Sequence, residues 1–452
     1  MSEAKRVILT GGRVVTPLGV VSANVEIGGG RILRVGDFPA AGGPGVAVVR
    51  LNDSYVLPGL IDMHINDGVS ILRGLKTPEQ HAARLAEVSR GLLPLGITGV
   101  FMATLASPLD ELEAYLAGMD LFRERWKAQP AGTELCGALI EGTFMNPENH
   151  GAQNPDYMYP PSREVLDRLL AHPSVRMVNI APEFGDTSLE LIAYAAGRGV
   201  IPAAGHCKPT ADQLARAVER GVRYIIHMYN GPTGSSTKSF DGGGMLEGAL
   251  RDDRVTAELI GDLVHVAPAV LRDAIGRKGV DRAVAVSDVM FPVDAPEGEF
   301  ELNRILGRAD DKGEYLYVTG RRGMDGKITE VKSGEIRASN VKVLYGAAVN
   351  QDRVFANMVG LFAAEVEGNY VKRHQAMPLD EAVCWASRLC STNAARLTGL
   401  LDGSTGRKVG AIETGFEADI LVADIARSGS LHAEVKLREV FLAGKPSLGL
   451  CG

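Results

Sequence analysis

The sequence predicts an α/β chain: a (β/α)8 TIM-like barrel with a small β-sandwich domain formed from both chain termini. Three observations point to it. The middle of the chain alternates short apolar runs with longer stretches of helical periodicity, the pattern of repeated βα units around a parallel sheet. Those apolar runs number eight, as a closed barrel requires. The two ends have another texture, β-branched runs broken by glycine turns, which reads as hairpins in a sheet.

Within residues 1–56 the hairpin signals are VILT-GG-RVV and NVEI-GGG-RILRVG; within 405–452 they are KVGAIETG, ADILVAD and VKLREVFLAGKP. Both ends are expected to build one domain, leaving 57–404 for the barrel. The eight strand candidates are VLPGLIDMHI, GVFMAT, ELCGALIEG, VRMVNIAPE, VIPAAGH, YIIHMYN, TAELIGD and AVAVSD. Between them the spacing predicts helices such as 77–94, 108–128, 187–199 and 209–220. A doubly wound open sheet would usually bring a GxGxxG turn after its first strand, and none is present.

The composition narrows the function. Of 452 residues, 45% are hydrophobic and 23% charged, enough for a large core. A net charge of −7 argues against nucleic acid as the main partner, since that needs a basic surface. The start MSEAKRVILTGG lacks a signal-peptide pattern, and no apolar run is long enough to span a bilayer. The expectation is therefore a cytoplasmic protein that acts on a small molecule, away from membranes. Five cysteines, an odd number without a CxxC pair, argue against a disulfide framework or a thiolate metal site.

In such barrels the chemistry sits at the C-terminal ends of the strands. Those ends carry His64 and Asn66 (first strand), Glu141 (third), Glu183 (fourth), His206 (fifth), His227 (sixth) and Asp288 (eighth), and His265 follows the seventh. Two neutral imidazoles and a carboxylate, here His206, His227 and Glu141, suit zinc or a similar cation and leave room for water. Asp288, on another strand, is placed to take the water's proton and pass it to a leaving nitrogen. Glu183 reads equally well as a structural partner of a neighbouring basic group. Cys207 follows His206 directly, so in a strand it points to the opposite face.

Six short motifs in order resemble the amidohydrolase superfamily and, within it, the N-acetylglucosamine-6-phosphate deacetylase family: IEGTFMNP, APE, GHCKPT, HMYN, GDLVHV and VSDVM. The similarity runs from VLPGLIDMHIN through STNAARLTGL to EADILVAD. It implies one divalent metal ion per chain on Glu141, His206 and His227, with zinc first and iron, cobalt or manganese as alternatives, and Asp288 as catalytic acid and base. It also implies that His265, Asn230 and Gly231 contact the substrate, that Lys238 stands where the family has a phosphate-binding arginine, and that the protein is a homodimer.

The departures from the family bear on substrate. His64-Ile-Asn66 replaces an HxH pair, removing one ligand for a second metal, although both residues stay candidates for substrate contact. Gln153 stands where the family has a histidine thought to polarise the substrate carbonyl, with His150 three residues earlier as a substitute. Lys238 offers a point charge where arginine offers a planar fork. Deacetylation of an N-acetylated amino sugar or its phosphate, hydrolysis of another small amide, and a barrel retained only for binding all remain open at this point.

Overall fold

The computed structural model describes residues 6–66, 74–230, 242–310, 312–330, 343–367 and 373–449. The N-terminal strands are β1 (Arg6–Thr16), β2 (Gly19–Gly28), β3 (Arg31–Gly36), β4 (Val46–Arg50) and β5 (Tyr55–Pro58). The barrel strands follow: β6 (Leu60–Asn66), β7 (Ile97–Ala103), β8 (Glu134–Phe144), β9 (Val175–Ile180), β10 (Ile201–Ala204), β11 (Tyr224–Ile225), β12 (Thr256–Ile260) and β13 (Ala283–Val286). All neighbours from β6 to β13 pair parallel and in chain order. Closure is made past the ends of β13 and β6, where Ile65 bridges Val289 and the Asp288 N–H donates to His64 O (2.9 Å). Asp62 reinforces it by accepting from the Ser287 hydroxyl (2.5 Å). The eight-stranded barrel read from the apolar runs is thus present.

Both faces of β6, β7 and β8 are buried, as expected of strands with side chains inside the barrel and helices outside. Ile61, Met63, Phe101, Leu139, Met177, Tyr224, Ile260 and Val286 fill the interior. Ala394 and Ala395 join this cluster at the end where the strands begin, held there by Asn393, which donates to Ala283 O (2.8 Å). The surrounding helices start on local signals. Thr77 and Gln80 form a reciprocal cap on the helix Pro78–Leu92, whose Leu85, Val88 and Leu92 face inward. Thr210 and Gln213 do the same for Ala211–Arg220. No helix among the described residues is long and apolar enough to cross a membrane.

The C-terminal strands β20 (Ile420–Arg427), β21 (Ala433–Leu442) and β22 (Lys445–Pro446) join the N-terminal ones through an antiparallel β20–β5 pair, giving the order β22-β21-β20-β5-β1-β2-β3 with β4 beside β1. Both chain ends thus build one β unit, as expected. The run VLPGLIDMHI is not one strand, however. It breaks at Gly59 into β5 of the terminal sheet and β6 of the barrel. A Cβ on Gly59 would lie 2.1 Å from Thr98 Oγ1, so only glycine fits between the two. The sequence reading also missed a four-stranded antiparallel sheet inserted after β13: β14 (Glu299–Leu302), β15 (Ile305–Ala309), β16 (Leu316–Arg322) and β17 (Ile328–Glu330). Its first hairpin turns on Asn303 and Arg304, both left-handed (φ 46° and 65°), a two-residue turn of the kind that suits twisted strands. A short pair, β18 (Val366–Glu367) and β19 (Arg373–His374), completes the described strands.

Candidate metal centre and active site

Strand alternation puts some of the chemistry on the interior parity. Leu139 lies in the barrel interior and Glu141 follows two residues on; Val284 and Val286 are interior and Asp288 continues their phase. His206 and His227 do not follow that rule. Ala203 and the pair Tyr224 and Ile226 are interior, so the histidines fall on the wrong parity. Each takes a left-handed backbone instead, φ 45° at His206 and 25° at His227. The turn brings the imidazoles inward and sends Cys207 and Met228 into the outer core. Cys207 there meets Met245, so it faces away from the site. Non-glycine residues in this region cost roughly 1–3 kcal/mol each and persist only where surroundings enforce them.

One ligand atom each from Glu141, His206 and His227 lies within 4.8 Å of the others, and all three residues are buried. His206 Nδ1 lies 2.9 Å from Asn149 O, and His227 Nδ1 3.2 Å from Asn230 O. A carbonyl only accepts, so Nδ1 is the donor in each ring; the neutral ring then leaves a lone pair on Nε2. Both Nε2 atoms face Glu141 Oε1, at 3.2 and 2.7 Å. Three acceptor positions therefore converge on one point, which a cation reconciles. The ionisation tendencies agree. Burial alone would lower His227, but Glu141, Asp288 and Glu258 raise it. Burial alone would raise Glu141, but His64, His206 and His227 hold it well below the usual carboxylate range. The place favours positive charge.

Around this point a cavity of about 580 Å³ opens. Asn66, Gln153, Asn230, His265 and Asp288 line it with the three candidate ligands. Asp288 is held by Asn66, whose Nδ2 donates to Oδ1 (2.8 Å), and burial raises its carboxyl above the ordinary value. His265 is oriented by Asp262, 2.6 Å from Nδ1, and Asn230 donates to the His265 carbonyl (2.9 Å). Gln153 spends both ends of its amide: Oε1 accepts from Ala106 N–H (2.5 Å) and Nε2 donates to Glu141 Oε2 (2.8 Å). His64 is fully buried behind the cavity, its Nε2 3.3 Å from Asp288 and 3.6 Å from Glu141. Gly231 and Lys238 lie outside the described residues. Glu183 Oε1 accepts from Asn146 Nδ2 (2.9 Å) and the Lys208 backbone N–H (2.8 Å), an amide and a main-chain group and not a basic side chain.

Sequence reasoning passed over Glu258. This fully buried carboxylate accepts from His227 N–H and contacts His64 Nδ1, both at 2.9 Å. The signal was there: a glutamate inside the otherwise apolar run TAELI, in phase with interior Ile260. His150 is not among the residues lining the cavity.

No family model matches the chain. It is 24% identical over 372 residues to the N-acetylglucosamine-6-phosphate deacetylase of Bacillus subtilis (strain 168), covering 82% of this chain and 81% of that one. It is 27% identical over 259 residues to the N-acetylgalactosamine-6-phosphate deacetylase of Escherichia coli O157:H7, covering 57% and 66%. Among solved structures, an N-acetyl-D-glucosamine-6-phosphate deacetylase variant from Mycobacterium smegmatis, in complex with N-acetyl-D-glucosamine-6-phosphate, superposes with a TM-score of 0.74 at 24% identity, covering 98% of this chain and 99% of that one. In sequence and in fold, the chain resembles the N-acetylglucosamine-6-phosphate deacetylases of the amidohydrolase superfamily.

Proposed function

We propose that the chain is a metal-dependent amide hydrolase that deacetylates an N-acetylated amino sugar, with hexosamine 6-phosphates as the first candidates. One observation carries this: Glu141, His206 and His227 converge at the mouth of a barrel, and Asp288 faces the same cavity from another strand. Glu141 Oε1 and the two Nε2 atoms would hold the cation, zinc first by ligand type and iron, cobalt or manganese as alternatives. A cation in such a place acidifies water and polarises an amide carbonyl. Asp288 accepts the proton of the attacking water and returns it to the nitrogen as the C–N bond breaks. Asn66 keeps that carboxylate aimed. His265 and Asn230 contact the sugar, and Gln153 braces Glu141. His64 stands too deep to reach substrate and acts through Asp288 and Glu141.

The catalytic work belongs to residues 57–404, braced by the domain made of 1–56 and 405–452. Gly231 and Lys238 complete the substrate end of the site, Lys238 as the cation that reads a phosphate, in a cytoplasmic homodimer. One observation favours a second reading, hydrolysis of another small amide such as an N-acyl amino acid. Among the described residues lining the cavity there is no lysine or arginine, while Leu105, Ile260, Val264 and Met290 form an apolar wall.

The test combines metal analysis with an acetate-release screen. Substrates are N-acetylglucosamine, the 6-phosphates of N-acetylglucosamine and N-acetylgalactosamine, and a panel of N-acyl amino acids. The expected result is about one metal per chain and acetate release from an amino sugar substrate. Turnover confined to N-acyl amino acids would replace the first reading with the second. Full metal loading without turnover of any amide would discard both.

A further inference from the structure

We propose that Glu258 is a positioning residue of the metal centre, a buried carboxylate that sets both the backbone turn presenting His227 and the ring orientation of His64. This rests on the metal-dependent reading above but concerns a residue outside the ligand set. Glu258 sits in the middle of β12 with no exposed surface. A carboxylate there is expensive, because desolvation opposes its charge, and it persists only if its oxygens are well used.

Both oxygens are used. Oε1 accepts the His227 N–H and faces His64 Nδ1, each at 2.9 Å, while Oε2 accepts the Tyr224 hydroxyl. The Glu258 main chain takes part as well, since Met228 N–H donates to its carbonyl (2.8 Å). The consecutive N–H groups of residues 227 and 228 are thus both held by Glu258, one by side chain and one by backbone. Between them lies the left-handed kink at His227. Where β11 ends, the ladder hydrogen bonds give way to these two. They over-determine a backbone conformation that His227 would otherwise leave, and that conformation aims Nε2 at Glu141.

The second action runs through His64. With Nδ1 facing the Glu258 carboxylate, the ring presents Nε2 toward Glu141 and Asp288. One buried carboxylate on β12 therefore positions a candidate ligand just past the end of β11 and a ring from β6 whose Nε2 lies 3.3 Å from the proposed catalytic carboxylate just past β13. Partners that orient metal ligands from behind typically change metal affinity or activity by roughly 10–100-fold when lost.

The experiment uses the full chain, Glu258→Gln, which keeps the shape but exchanges the charged carboxylate for an amide. Metal affinity is measured on metal-stripped protein by competition with a chromophoric chelator. Cobalt is then added and the visible ligand-field bands are recorded, since they report ligand geometry. Expected are an affinity loss on the order of 10–100-fold and shifted cobalt bands, with kcat reduced more than KM changes. Wild-type affinity and bands, even with a lower melting temperature, would overturn the proposal and leave Glu258 a core residue. If Glu258→Gln does not fold, Tyr224→Phe decides: it removes one donor to the same carboxylate and keeps the ring. A smaller shift in the same direction supports the role, and an unchanged affinity and spectrum overturns it. Metal binding is read apart from turnover, so a wild-type protein that binds metal but cleaves none of the screened amides would sink the functional reading without touching this one.

Discussion

Asp288 carries the proton work in the proposed reaction, and its surroundings say what its loss would do. Its φ of 52°, the N–H donated to His64 O and the Asn66 amide on Oδ1 fix the carboxylate from three directions. Asp288→Asn keeps the size but cannot accept the proton, so turnover should fall by about two to four orders of magnitude. Metal content should stay at the wild-type level, and near-normal kcat would remove Asp288 from the mechanism. Gln153 is a separate case. Its amide bridges Ala106 N–H and Glu141 Oε2, so Gln153→Ala frees one arm of a candidate ligand. Metal affinity should drop by roughly tenfold, the lower end of what such supporting partners contribute. A chelator competition showing equal affinity would leave Gln153 with substrate contact alone.

At the scale of single elements, the site depends on where strands abandon their alternation. β8 keeps its phase to deliver Glu141, and this works because Gly142 lets the chain around Ala106 approach. A Cβ at 142 would lie 2.1 Å from Ala106 N and 2.5 Å from Leu105 C, backbone atoms that cannot yield as a flexible side chain would. Gly142→Ala should therefore cost about 1–3 kcal/mol of stability by overpacking. It should also weaken metal binding, because the displaced backbone carries Glu141. Chemical denaturation and metal titration of the same variant check both; a stable variant with full affinity would show that the strand end has slack. Gly151 plays a lesser part, left-handed at φ 57° with the His206 ring 3.1 Å from where a Cβ would stand.

Across the whole molecule, Arg407 ties the C-terminal segment to the barrel. It contacts Glu134 at the start of β8 (2.8 Å), Glu417 (2.6 Å) and both oxygens of Asp419 (2.9 Å). Asp419 is buried, and burial raises its carboxyl above the ordinary value while Arg407 pulls it back down. Arg407→Ala strands these carboxylates and should destabilise the protein by about 3–5 kcal/mol, as broken buried pairs do. The sign of its pH dependence follows. Without Arg407, folded Asp419 holds its proton to higher pH than the unfolded chain does, so the folded state binds more protons in that window. The variant's stability then falls as pH rises through the window, and its deficit against wild type is smallest in acid. Denaturation curves at several pH values test this; a deficit independent of pH would mean that lost packing, not stranded charge, dominates. A metal held at the proposed site would add to the stability of the whole. At a free concentration a hundred times its dissociation constant it contributes about 2.7 kcal/mol, so a chelator should lower the melting temperature of wild type.

Much of this was legible in the chain alone, because strand period and helical period are local. Eight apolar runs, the helical stretches near 77–94 and 209–220, and Glu141, His206, His227 and Asp288 at strand ends could be read from neighbours a few residues apart. The inserted β14–β17 sheet was missed because its first turn, Asn303-Arg304, lacks the glycine that usually marks a two-residue hairpin. The break at Gly59 was hidden in a continuous apolar run, since the contact with Thr98 that demands it lies on the next strand. Tertiary structure alone decided which buried groups meet. Glu258 reaches His64 across 194 residues of sequence, and Gln153 turns its amide onto Glu141. Sequence periodicity determines which face a side chain occupies; partner choice depends on register and closure among strands far apart in the chain, and no local pattern records that.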